Sequence, residues 1–166
     1  MDRLDALLKH FTVSAQMFHS GPLCGINDFE PRKGLGQLHL LQRGSLQIEH
    51  HKSDFITVDE PSLLFYPKPY FHRFITDEKS STALACAHIQ FNEGVNNPLV
   101  QSLSDFLILP LSELEDTGVI LDILFREAFN QRCGRQVIVD RLFEVVLVNI
   151  LRWLIDHGHV STGLLA

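Results

Sequence analysis

One stretch, residues 37–74, narrows the fold more than any other part of the chain. It opens Gln37-Leu38-His39-Leu40-Leu41-Gln42-Arg43-Gly44 and Ser45-Leu46-Gln47-Ile48-Glu49, then reaches a polar tip, His50-His51-Lys52-Ser53-Asp54. Phe55-Ile56-Thr57-Val58 follows, then Ser62 to Tyr66 behind Pro61, and Tyr70-Phe71-His72-Arg73-Phe74 behind Pro67 and Pro69. Short runs of leucine, β-branched and aromatic residues, punctuated by Gly or Pro, are the pattern of consecutive antiparallel strands. A chain with such a centre is expected to close into a barrel or a sandwich.

The rest of the chain extends that reading. Leu4, Leu7, Leu8 and Phe11 fall at helical spacing, so an amphipathic helix over residues 2–11 is expected to dock on the barrel. Ser14 to His19 and Leu23 to Phe29 read as two strands broken at Gly21-Pro22, and Glu30 to Gly36 as a turn region. Residues 82–91 alternate: Ala83, Ala85, Ala87, Ile89 and Phe91 share one face, suited to a second layer, while Leu84, Cys86, His88 and Gln90 share the other. Residues 92–103 read as a loop and 106–110 as one extra edge strand.

After Pro110 the period changes from two to 3.6. Val119, Leu121, Ile123, Leu124, Ala128 and Phe129 belong to one helix, which Cys133-Gly134 interrupts, glycine being suited to the left-handed residue at a helix end. The second helix, about Gln136 to His157, is apolar nearly all round. Val139, Leu142, Val146 and Trp153 mark one stripe and Val137, Val148, Leu151 and Ile155 another, so the barrel alone is expected to leave one side uncovered. Asp140, Arg141, Glu144 and Arg152 leave no charge-free run near the roughly 20 residues of a membrane span.

Taken together, the phrases Leu38-His39-Leu40-Leu41-Gln42-Arg43-Gly44, Cys86-Ala87-His88-Ile89-Gln90-Phe91 and Arg132-Cys133-Gly134-Arg135-Gln136, with the Pro67-Pro69 approach to His72, resemble the amino-terminal cupin domain of AraC-type transcription regulators. The resemblance covers essentially the whole chain. It implies a mainly β fold with C-terminal α structure: a cupin-like (jelly-roll) β-barrel sensor over residues 1–110, followed by an antiparallel helix pair over 111–160 that dimerises. Residues 161–166 would open the linker to a helix-turn-helix domain absent from this chain. The implied function is binding of a small effector in the barrel by a homodimeric regulator that reaches DNA only through that absent domain. The alternative is a small metal-dependent cupin enzyme.

If the strands pair as in that family, His39 and His72 point into the barrel, and Cys86 and His88 share one inner face. Imidazoles and a thiolate are good ligands for tetrahedral zinc, so His39, His72, Cys86 and His88 form a candidate metal set. The bland reading is that these are buried side chains, because nine histidines in 166 residues place some on strands by necessity. Catalytic cupins carry His-x-His and a Glu ahead of the glycine; position 37 here is Gln and no Glu lies between Gly36 and Gly44, which argues against enzyme chemistry. As an effector site, His39, His72 and Gln90 would orient a ligand, with Phe29, Phe74 and Phe91 as stacking walls or as ordinary core. His50 and His51, at a hairpin tip, are expected in solvent.

Composition sets limits on location and partners. The acidic opening Met1-Asp2-Arg3-Leu4-Asp5 lacks the basic flank of a signal peptide, and three cysteines make no disulfide framework, so the cytoplasm is expected. The net charge is −6 and the 14 basic residues are scattered, whereas duplex DNA rewards clustered cations. These 166 residues are expected to give no mobility shift with duplex DNA at physiological salt; a shifted band would show that a DNA-gripping surface exists within them.

Overall fold

A computed structural model describes residues 2–10, 12–51 and 54–160. Two antiparallel sheets face each other. Their strands are β1 (Val13–Pro22), β2 (Gly25–Phe29), β3 (Gly36–Arg43), β4 (Leu46–Glu49), β5 (Phe55–Val58), β6 (Ser62–Tyr66), β7 (His72–Thr76), β8 (Ala83–Phe91) and β9 (Leu107–Pro110). One sheet has the order β1-β8-β3-β6-β9 and the other β2-β7-β4-β5. The helices are α1 (Arg3–His10), α2 (Pro98–Ser102), α3 (Gly118–Ala128) and α4 (Arg135–Asp156). The expected mainly β fold with a C-terminal helix pair is the observed one.

Two details differ from the sequence expectation. β1 runs through Gly21-Pro22 and ends there, because Gly21 and Pro22 still pair with Leu84 and Ala83. Residues 92–103 contain α2, started by Pro98 and capped by Asn97, whose side chain accepts from the Leu99 amide at 2.9 Å. β9 is an edge strand as expected, paired with β6. Phe11, at the end of the expected first helix, and residues 161–166 lie outside the described residues.

The five-stranded sheet is buried on both faces. Leu38, Leu40, Ala85, Ala87, Ile89 and Phe91 point out to the helices, where they meet Val139, Phe143, Val146, Leu147 and Ile150 of α4. Leu41, Leu64, Tyr66, Leu84 and Cys86 point in, towards Ile48 and Phe74 of the other sheet. The helices therefore share one core with the outer face of the barrel. Gly44 turns β3 into β4 at φ 85°, and a Cβ there would stand 2.6 Å from the Ser80 carbonyl oxygen, so no side chain fits.

The expected second stripe of α4 needs correcting at Leu151. It is fully buried within its own chain, as part of the core that α4 shares with the sheet and α3. Val137, Ile138 and Val145 stay exposed. They lie on the side facing away from the sheet.

α4 also completes the free edge of β1. An edge strand presents unpaired backbone groups that must be met. The Met17 amide donates to Asp140 Oδ1 at 2.8 Å and the Ala15 amide to Glu144 Oε1 at 3.2 Å, while Gln136 Nε2 donates to the Met17 carbonyl at 3.0 Å. Losing a charged acceptor from a covered backbone donor costs roughly 1–3 kcal/mol. Asp140→Ala is expected to lower unfolding free energy by about that amount in urea titrations, and Asp140→Asn by less, since its amide oxygen still accepts.

Candidate functional site

The inner end of the barrel is built from rings. His39 points inward because its neighbours Leu38 and Leu40 take the outer face of β3. The Pro67 and Pro69 turn brings the chain back to β7, where His72 sits opposite Phe29 of β2. The two imidazoles meet: His39 Nε2 and His72 Nε2 are 2.8 Å apart, with exposures of 0% and 1%. His72 lies parallel to Tyr66 at 3.8 Å between centroids and parallel to Phe29 at 4.9 Å. Phe74 and Phe29 meet His39 nearly edge-on, each at 4.8 Å.

The hydrogen-bond partners assign the protons. The Tyr70 carbonyl can only accept, so His72 Nδ1 donates to it at 2.9 Å and His72 Nε2 is left as a lone pair. His39 Nε2–H then donates to that lone pair, and His39 Nδ1 is a bare acceptor. Both rings are neutral in this arrangement. Burial pushes the pKa of His39 well below its ordinary value, helped by repulsion from His72, His88 and His19, and burial brings that of His72 down to about 4.

Of the four expected metal ligands, His39 and His72 turn their facing nitrogens to each other, Cys86 is buried, and His88 Nε2 faces Arg32 Nη1 at 3.4 Å. Among the described residues no group of three or more His, Cys, Asp or Glu is arranged to hold a metal.

Of the expected effector residues, His39, His72 and Phe74 share the chamber, with Phe29 as a wall, while Gln90 is exposed at the mouth. Phe91 belongs to the helix-facing core and lines nothing inside the barrel, as its place beside Ile89 on alternate positions requires. His50 is buried rather than solvated, because its Nε2 meets the Tyr66 hydroxyl at 2.7 Å and its ring packs on Phe106 at 4.3 Å.

Sequence reasoning missed Phe18 and His19. A β-bulge between Met17 and His19 turns Phe18 over the barrel mouth, where it stacks on His88 at 4.2 Å, and sets His19 opposite Cys86 on the inner side. No period-two pattern reveals an extra residue.

The histidine pair makes stability depend on pH. An unfolded His72 takes a proton near its ordinary value of 6.5 but the folded one only near 4, so between these values the unfolded state binds more protons. Stability is therefore complete above pH 6.5 and falls on acidification towards pH 4, by up to about 1.4 kcal/mol per pH unit for each such histidine. Urea unfolding at stepwise lower pH is expected to show this fall, with a shallower slope in His72→Asn; an unchanged slope would mean that His72 is not held neutral.

Comparison with known proteins adds the following. The sequence matches a family described as cupin over residues 2–156. Among curated proteins none matches the sequence. The fold is similar to that of ToxT from Vibrio cholerae. Against wild-type ToxT of strain SCE256 with unsaturated fatty acid bound, TM-score is 0.51 and identity 12%, covering 91% of this chain and 56% of that one. Against ToxT of strain O395 bound to (E)-4-(8-methylnaphthalen-1-yl)but-3-enoic acid, TM-score is 0.46 and identity 9%, covering 91% and 58%. The chain thus spans a little over half the length of these structures.

Proposed function

The chain belongs to the cupin family, and we propose that it is the ligand-sensing, dimerising domain of an AraC-type regulator that binds a small organic effector inside the barrel. The observation that carries this reading is the neutral His39–His72 pair walled by Phe29, Tyr66 and Phe74, a site equipped to bind and orient rather than to hold a catalytic metal. The likeness in fold to ToxT with unsaturated fatty acid bound supports it. Contact with DNA belongs, in this reading, to a domain beyond these residues. A cytoplasmic place of work follows from the same reading, and no helix among the described residues is long and apolar enough to cross a membrane. Zinc at His39, His72, Cys86 and His88 would require the histidine pair to separate; elemental analysis of protein purified without chelator tests it.

Oleate is the first probe of the sensor reading. A ligand that binds only the folded state at 100 times its Kd stabilises it by about 2.7 kcal/mol, so oleate is expected to raise the melting temperature. No shift with any small organic ligand would count against a sensor.

Dimerisation rests on the exposed side of α4. Ile138, Val145, Val148 and Ile155 recur at alternating steps of seven and three, with Arg141 and Arg152 in the same stripe. That spacing is the seam of two paired helices, and a two-fold axis lets one stripe complement itself. Ile138 and Val145 are 42% and 43% exposed, and each large aliphatic side chain left in water forgoes up to about 1.5–3 kcal/mol. Light scattering at tens of micromolar should find a dimer, and Val145→Glu or Val148→Glu a folded monomer. Leu151→Glu is expected to unfold the chain instead, since Leu151 is core.

A further inference from the structure

The inner wall formed by β1, β8 and β3 carries unused bonding capacity. Four of its buried side-chain atoms have no hydrogen-bond partner among the described residues: His19 Nε2, Gln37 Oε1, His39 Nδ1 and His88 Nδ1. They are neighbours by register. Cys86 pairs with His19 on one side and His39 on the other, and His88, two residues along β8 on the same face, pairs with Gln16 and Gln37. Buried polar groups without partners are uncommon, and four on one wall call for an explanation that packing does not supply.

Their chemistry can be read from the bonds that are made. His39 Nδ1 is a bare acceptor because His39 Nε2–H is committed to His72. The Arg32 guanidinium can only donate, so His88 Nε2 accepts from it at 3.4 Å and His88 Nδ1 carries the hydrogen. The wall thus offers an acceptor at His39 and a donor at His88. A hydroxyl, which donates and accepts at once, is the simplest group to satisfy both.

Of the four residues, His88 also lines a cavity of about 420 Å³, together with Arg32, Lys33, Gln16 and Gln90 among others, with no Asp or Glu among its lining residues. Two cations without a facing carboxylate select an anion. Phe18, 39% exposed and held by the bulge, stacks on His88 and lies 6.2 Å from the His39 ring and 6.3 Å from that of Phe29, so it stands between the cavity residue His88 and the buried His39.

We propose that this wall is the effector site and that it takes a small hydroxylated organic anion, its hydroxyl between His39 and His88, its carboxylate at Arg32 and Lys33, with Phe18 as the lid. The proposal rests on the sensor reading above and adds the class of ligand and the residues that select it.

Isothermal titration calorimetry of the whole 166-residue chain tests it, with 4-hydroxybenzoate, benzoate, 4-hydroxybenzyl alcohol and lactate as probes and oleate as reference. 4-Hydroxybenzoate or lactate should bind at one site per chain. If 4-hydroxybenzoate binds, removing its hydroxyl or its carboxylate should weaken it about tenfold, the usual worth of one good polar contact. Arg32→Gln and the exposed Lys33→Gln should each weaken the anionic probes, and Lys33→Gln should leave the alcohol unchanged. His88→Phe, which keeps a ring for Phe18 to stack on, should remove the advantage of the hydroxyl. Circular dichroism melts confirm that each variant is folded. Equal binding of benzoate and 4-hydroxybenzoate, indifferent to Arg32→Gln, would overturn the proposal. Binding of oleate with none of the hydroxy acids would overturn it while leaving the sensor reading in place; no binding by any probe would count against both.

Discussion

The strand β8 is the constraint on which the rest of the molecule depends. It lies between β1 and β3, and its alternation must serve two cores at once. On the outer face, Ala85, Ala87, Ile89 and Phe91 belong to the core that the sheet shares with α4. On the inner face, Leu84 and Cys86 close the apolar bottom of the barrel and His88 opens its polar upper wall. A register slip of one residue would send the histidine to the helices and the alanines to the chamber, so both the helix docking and the site rest on one period-two pattern.

The chamber shows how a barrel of this family can hold two imidazoles against each other. Metal ligation needs lone pairs converging on one point, whereas His39 and His72 point theirs along a chain of hydrogen bonds that ends at the Tyr70 carbonyl. That chain fixes both rings as neutral tautomers and leaves one acceptor, His39 Nδ1, facing the polar wall. The aromatic rings on Phe29, Tyr66 and Phe74 then serve as rigid walls that hold the imidazoles in plane.

α4 ties these parts together. Its buried side fills the outer core, its carboxylates at Asp140 and Glu144 meet the free amides of β1, and β1 carries the bulge that aims Phe18 over the barrel mouth. A ligand that displaces Phe18 therefore acts on a strand whose other edge is held by the helix proposed to form the dimer contact. Coupling between site and interface needs no longer path than β1 itself, and the hydrogen bonds from Met17 and Ala15 are its physical links.

Much of this was readable without coordinates. The two-fold period placed β3 to β8 and sorted Ala85 and Ala87 from Cys86 and His88, and the change of period after Pro110 placed α3 and α4, because a side chain's direction follows directly from its position in a regular element. That His39 and His72 face inward was what the resemblance to the cupin domain implied. Three things depended on the tertiary structure. That His39 and His72 meet each other depends on how two strands of different sheets are brought together. The burial of His50 and Leu151 depends on what packs over them from far along the chain, Tyr66 and Phe106 in one case and the surrounding layers in the other. The bulge at Phe18 shifts the register by one residue, and the ladder it interrupts exists only when β1 meets β8.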